Sequence, residues 1–434
     1  MKHLLLILLW LCSLLVCQAQ ALPFQAIVAQ DGSGHYTTVQ EAINAAPSHR
    51  AEPWIIFIKN GSYQEQVIVP KDKSYIHLIG QDKNKTSIRL RLNVGGKPKE
   101  GEPDNTGFWN CSIHNPKADV YQYKNAVCYI QGSHFYAENL SFINDYGVES
   151  QNGPQALAMS SQADCAAFHQ CIFRSYQDTW MTSTTDTDRH YVKNCYIEGA
   201  VDYFYGSGDV LVENSTFYNV REGSVIVAPC HNGSTWGYVI KNCQVDGNTK
   251  KWGGVKLGRP WHNAPKAVFI HTTLNIPISD EGWTDMGTVP ALFAEYDTRD
   301  SQGQIINLNK RKTIYKVREK ETGSCRATIT KEEAETYTYE AIISQKDGWN
   351  PRNMMEKLPA PQKLKLKDKV VKWNNVAGAI GYILTEGELI IGITSENSYQ
   401  LSLLPKVGLT IHAVNRYGTS GEPAVLKIKE KTRL

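Results

Sequence analysis

The residues best placed to do chemistry are two aspartates held at one phase of an internal repeat. Gln170-Cys171-Ile172-Phe173 and Asn194-Cys195-Tyr196-Ile197 have the same build, and Asp178 and Asp202 each follow the cysteine by seven residues. If the repeats stack as strands, equivalent residues lie about 4.8 Å apart. Two carboxyl groups that close do not both ionise cheaply, so one apparent pKa rises and the pair can hold a proton. A protonated and a charged carboxyl together suit a general acid/base beside a nucleophile. The competing reading is a pair of solvated turn aspartates, and phase alone leaves both open.

The elements that would position this pair recur along the chain. Asn139-Leu140-Ser141-Phe142, Asn214-Ser215-Thr216-Phe217, Asn242-Cys243-Gln244-Val245 and His271-Thr272-Thr273-Leu274 repeat the polar–small–x–apolar pattern at spacings of 20 to 31 residues. Short β-rich units at such a period are the mark of a stacked solenoid, and apolar alternation within each unit fits strands. The expected fold is therefore all-β: a right-handed parallel β-helix with one repeat per coil. The pattern over residues 39–46 predicts a short N-terminal helix capping the open apolar end. Cys171, Cys195 and Cys243 share one repeat phase and read as inward-facing small residues rather than bridges. The asparagines Asn139, Asn194, Asn214 and Asn242 read as a buried, stacked amide ladder, which makes the N-x-S/T matches at Asn139 and Asn214 structural. A charged stretch, residues 330–340, opens with the spacing of a capped helix laid along the solenoid.

Residues 1–21 have the build of a secretory signal peptide: Lys2, an apolar run to Cys17, and Ala19-Gln20-Ala21 before cleavage. Secretion or export to a periplasm follows. Cys17 offers a lipoprotein-anchoring alternative, weakened by the Val before it. No later stretch is apolar enough to span a bilayer. A net charge of +3 and a pI near 8.2 are too balanced to imply nucleic acid. Of ten cysteines, Cys12 and Cys17 lie in the leader, and the other eight show no metal-ligand spacing. No metal or other cofactor is expected. His169, His190 and His231 read as structural or solvated, since nothing places them beside a nucleophile.

Expected domains are the signal peptide, 1–21, a β-helix over 22–357 and a β-sandwich module over 358–434. The Leu358-Pro359-Ala360-Pro361 linker separates the last two. The module's alternating strands, Trp373 and Tyr417-Gly418 resemble a small fibronectin type III-like sandwich, short enough that a strand is expected to be missing. Its lysines read as a solvated spacer rather than a surface for an acidic polymer. Residues 106–123, with Phe108, Trp109, Tyr121 and Tyr123, are expected to form a long loop near the groove.

Six motifs, in order, resemble one family. They are Asp31-Gly32-Ser33-Gly34 with Gly61-Ser62-Tyr63-Gln64-Glu65, Gln155-Ala156-Leu157-Ala158, Tyr176-Gln177-Asp178-Thr179, Asp202-Tyr203-Phe204-Tyr205-Gly206, Leu257-Gly258-Arg259-Pro260-Trp261 and Phe293-Ala294-Glu295-Tyr296. The chain is similar here to the pectinesterases (pectin methylesterases), carbohydrate esterases acting on methyl-esterified homogalacturonan. The resemblance implies Asp202 as nucleophile on the C6 methyl ester and Asp178 as general acid, then base. It implies Gln155 and Gln177 as oxyanion donors, Arg259 as the group orienting Asp202, and Trp261, Tyr205 and Tyr176 as substrate contacts. The products would be pectate and methanol, released by a single copy of the chain. Departures from the family pattern are Met159-Ser160, Trp180-Met181 and the tyrosines Tyr203 and Tyr205. They touch substrate preference, Met181 above all, and leave the catalytic set whole. Competing classes are a polygalacturonan glycosidase, a calcium-dependent lyase and a non-catalytic β-helix binder. Neither enzyme class explains the two glutamines together with Leu257–Trp261, and in a binder the joint presence of Asp178, Asp202 and Arg259 would be a coincidence.

Overall fold

The computed structural model describes residues 22–93, 126–232, 236–248, 254–345 and 347–427. The expected signal peptide, Cys17, Cys111 and the aromatic loop of 106–123 lie outside them. Two compact units result. One spans Ala26–Met355, and the other gathers Glu356–Leu434 with the chain up to Gln25. The boundary thus falls two residues before the expected one, and Pro23 and its neighbours belong with the second unit.

In the larger unit the described strands form three parallel sheets of ten, seven and nine strands, to which successive coils add strands in turn. Met159–Ser161, Ala166–His169 and Ile172–Arg174 make one coil; Trp180–Met181, Arg189–Lys193 and Tyr196–Gly199 make the next. This is the parallel β-helix expected from the repeat, right-handed as parallel crossovers are. Inward side chains merge into one long core that includes Phe168, Phe173, Trp180 and Phe204. The cap is the helix Val39–Asn44, whose Val39, Ala42 and Ile43 are buried. Thr38 and Glu41 form a capping box, and Glu65 of the Gly61–Glu65 motif accepts from the N–H groups of Val39 and Gln40 at 2.8 and 2.9 Å. Those bonds satisfy donors that a helix start leaves free. The capped helix near residue 330 is shorter than expected, Lys331–Thr336, with a π-turn at Glu340–Ser344.

The asparagine ladder needs correction. Asn139, Asn194, Asn214 and Asn242 have φ of 58°, 55°, 51° and 55°, and Gln170 and His271 stand at 53° in the same place. The last three asparagines are exposed. They are recurrent left-handed turn residues, which Asn tolerates better than most side chains, and no buried stack confines Asn214. The buried ladder belongs to the residues one step on. Leu140, Cys171, Cys195, Ser215, Cys243 and Thr272 are all at or below 3 % exposure, and the described cysteines are free.

Trp180 is the keystone of the central coils. Its ring centroid lies 4.7 Å from Phe168, 4.1 Å from Phe173 and 5.2 Å from Phe204, and its indole N–H donates to Ser161 Oγ at 3.0 Å. Trp180→Ala is expected to cost about 3–5 kcal/mol, read as a lowered midpoint in denaturant unfolding followed by far-UV circular dichroism.

The smaller unit is a sandwich of antiparallel sheets, three strands (Lys365–Lys367, Val370–Lys372, Ser398–Gln400) and four. Its core holds Trp373, Tyr382, Leu384 and Ile411. Its described residues form seven strands, so the expected loss of one does not occur: short turns, such as the one between Lys367 and Val370, accommodate them all.

Candidate active site

Successive coils bring one residue group each to the outer face of the seven-stranded sheet. Trp180 pairs with Phe204 and Met181 with Tyr205, and Gln177 bridges Val201, so the continuous register sets Asp178 opposite Asp202. Both aspartates are left-handed, φ 59° and 48°, a conformation that costs about 1–2 kcal/mol outside glycine. The turn breaks strand alternation: Thr179 and Trp180, like Tyr203 and Phe204, are buried behind, while the aspartates face out. Asp202's own strand, Val201–Gly206, is bulged against Val225–Pro229, with register shifting between Val201 and Phe204, which re-aims the side chain.

Arg259 arrives from the end of the strand Lys256–Gly258. Its Nε donates to Asp202 Oδ1 at 2.7 Å and its Nη2 to Oδ2 at 2.6 Å, a bidentate fork. Gly258 permits this approach, since a Cβ there would meet Val227 Cγ2 at 2.5 Å and Val227 O at 2.7 Å. Asp178 is buried. That burial first, and the Asp202 charge second, push its carboxyl well above the usual range, against smaller opposing effects of Arg259 and the Tyr205 hydroxyl. A carboxyl whose proton is held more tightly than usual thus stands beside a second carboxyl group clamped by a guanidinium.

A pocket of about 460 Å³ is lined by Gln155, Gln177, Asp178, Asp202, Tyr205 and Arg259, with Ala228, Trp261, His262 and Met286. Seven of the eight sequence-predicted site residues therefore converge. Trp261 is half-buried, and its ring lies 5.6 Å from that of Tyr205. Tyr205 itself is only 2 % exposed, so it serves more as a support for Asp178 than as a sugar contact. Tyr176 is a correction. Its ring packs away from the pocket with Ala200, Val220 and Val201, because alternation sends it to the opposite side of the chain from Gln177. Ala228, His262 and Met286 escaped the sequence reading, since they carry no repeat signal and reach the pocket only through stacking. Met181 lies beneath Tyr205 in a buried cluster with Leu157, Ala126 and Ala228.

The histidines are structural. His169 Nδ1 lies 3.2 Å from Glu138 and His190 Nε2 2.9 Å from the Ser161 carbonyl. His231 Nε2 accepts from the Lys266 N–H at 2.7 Å, and burial brings its pKa down to about 4. Asp164, Cys165 and Asp347 converge elsewhere, but around the Arg189 guanidinium, which donates to all three.

The sequence profile of the pectinesterase family matches residues 25–100 and 105–346. The chain belongs to the pectinesterase family. It is 29 % identical over 343 residues to a pectinesterase of Petunia integrifolia, covering 75 % of this chain and 80 % of that one. An Arabidopsis thaliana protein named "Probable pectinesterase/pectinesterase inhibitor 58" is 31 % identical over 286 residues, 62 % of this chain but 45 % of that one. This chain thus spans less than half the length of that relative. Among solved structures, carrot pectin methylesterase superposes with a TM-score of 0.60 at 25 % identity, over 75 % of this chain and 94 % of that one. The Erwinia chrysanthemi pectin methylesterase shares the fold, with a TM-score of 0.55 at 21 % identity over 74 % and 97 %. No helix among the described residues of this pectinesterase-family chain is long and apolar enough to cross a membrane.

Proposed function

We propose that the chain is an aspartyl esterase that hydrolyses the C6 methyl esters of galacturonate units in pectin, giving pectate and methanol. The observation that carries this reading is the pairing of a buried Asp178, its carboxyl pushed well above the usual range, with an Arg259-clamped Asp202 in one open pocket. Asp202 attacks the ester carbonyl, and its oxygen–carbon bond forms as the carbonyl electrons move to oxygen. Gln155 and Gln177, both at the pocket wall, donate amide N–H bonds to that oxyanion. Asp178 gives its proton to the departing methoxide, which leaves as methanol. Now a carboxylate, Asp178 takes a proton from water as the water attacks the acyl-Asp202 anhydride, releasing the galacturonate acid and restoring both groups. Trp261 offers the sugar ring an aromatic wall. The apolar leader supports secretion, where pectin is met.

The test is methanol release from highly methylated pectin by the purified protein, with and without a chelator. Methanol without chain shortening or unsaturated ends is expected in both conditions; a shortened polymer would replace this reading by a glycosidase or lyase. Gln177→Ala should lower kcat by about 10²–10³ with KM little changed. A drop below threefold would remove Gln177 from the oxyanion site.

A further inference from the structure

Ten consecutive residues of the smaller unit carry Lys363, Lys365, Lys367, Lys369 and Lys372, and the sandwich sorts three of them onto one face. Lys365 stands opposite Lys372, Leu366 opposite Val371 and Lys367 opposite Val370. Val371 belongs to the core, so Lys365, Lys367 and Lys372 point outward, and all three are exposed. The next strand extends the two rows with Ser398 beside Lys372 and Gln400 beside Val370.

Like charges directly opposite on neighbouring strands are destabilising, and none of the three lysines makes an ion pair with a described residue. The hairpin's own carboxylate, Asp368, sits at the turn, left-handed at φ 49°. Lysines on an edge strand deter sheet-to-sheet aggregation, which accounts for Lys365 and Lys367. It does not account for Lys372, which lies on the central strand and adds repulsion that edge protection does not require. An anion supplied from outside removes that repulsion. Strand geometry sets neighbouring ammonium stems roughly 5–7 Å apart, and Ser398 and Gln400 supply hydrogen-bonding groups suited to sugar hydroxyls.

We infer that the Lys365–Lys367–Lys372 face binds a polycarboxylate polysaccharide, namely de-esterified polygalacturonan. This rests on the proposed esterase activity, whose product is that polyanion, and it would hold the enzyme on stretches it has already converted. A second attachment to one polymer raises the effective concentration of the first site without new contacts there.

The experiment uses the full mature protein and fully de-esterified polygalacturonate, in which no ester remains, measured by affinity electrophoresis and calorimetry at low and moderate salt. The triple variant Lys365→Ser, Lys367→Ser, Lys372→Ser should bind about tenfold more weakly at low salt, with a shallower salt dependence. Its methanol release from a short methylated oligogalacturonate should be unchanged. Its unfolding midpoint should be equal or higher, which rules out misfolding as the cause. Wild-type affinity in the variant would leave edge protection as the lysines' role and overturn the inference. Equally tight, lysine-dependent retention of duplex DNA would overturn it too. Lysine-dependent polygalacturonate binding in a protein that releases no methanol would keep the surface and refute the esterase.

Discussion

Asp202→Ala should lower methanol release by at least about 10⁴-fold, since removing a nucleophile leaves only binding and oxyanion contacts. Asp202→Asn, which keeps the shape but not the nucleophilic carboxylate, should fall as far. The alanine variant should also lose stability. Arg259 gives two short bonds to Asp202, whose side chain is 10 % exposed against 27 % for Arg259, and a guanidinium left there without its partner costs about 1–3 kcal/mol. Arg259→Ala in the same background should restore part of that loss. Stopped-time methanol assays and thermal melts check both halves. Residual activity above about 1 % in Asp202→Ala would sink the nucleophile assignment.

Asp178→Asn is expected to move activity and stability in opposite directions. Methanol release should fall by about 10²–10⁴-fold, as general acid–base groups contribute. Stability at neutral pH should rise. The folded-state pKa of Asp178 lies above its ordinary value of 3.8, so the native protein binds more protons than the unfolded chain between those two values. Unfolding free energy then decreases as pH rises through that window, because burial resists ionisation more strongly than Arg259 favours it. Asparagine carries no such charge, so its melting temperature should lose this downward slope and exceed the wild-type value at pH 7. The wild type should also lose activity at high pH as Asp178 gives up its proton. A variant no more stable than wild type at pH 7, with the same slope, would mean that the fold does not raise the Asp178 carboxyl above its ordinary range.

The pocket gathers features that cost stability: the buried Asp178 carboxyl, two left-handed aspartates and a bulge beside one of them. The rest of the solenoid compensates. The Trp180 aromatic cluster lies directly behind the two aspartates, so the groups that must not move stand on the best-packed coils. The close approach of Gly258 to Val227 serves the same end, setting Arg259 where it can reach its partner.

By itself the sequence determined the repeat and hence the β-helix, its capping helix, the cysteine ladder, and the phase that sets Asp178 against Asp202. These are legible because strand alternation and coil stacking are periodic, and a periodic cause leaves a periodic trace. Only the tertiary structure decided the side on which a residue falls where alternation breaks. Tyr176 turned into a neighbouring cluster while Gln177 reached the pocket, and the asparagines became left-handed turns instead of a buried stack, with the residue after each one turned inward. It also decided which sequence-distant residues meet. Ala228, His262 and Met286 have no common spacing, and three lysines share a face only because Lys365 and Lys372 pair across a hairpin. Such meetings depend on register between segments, which no local pattern of residues contains.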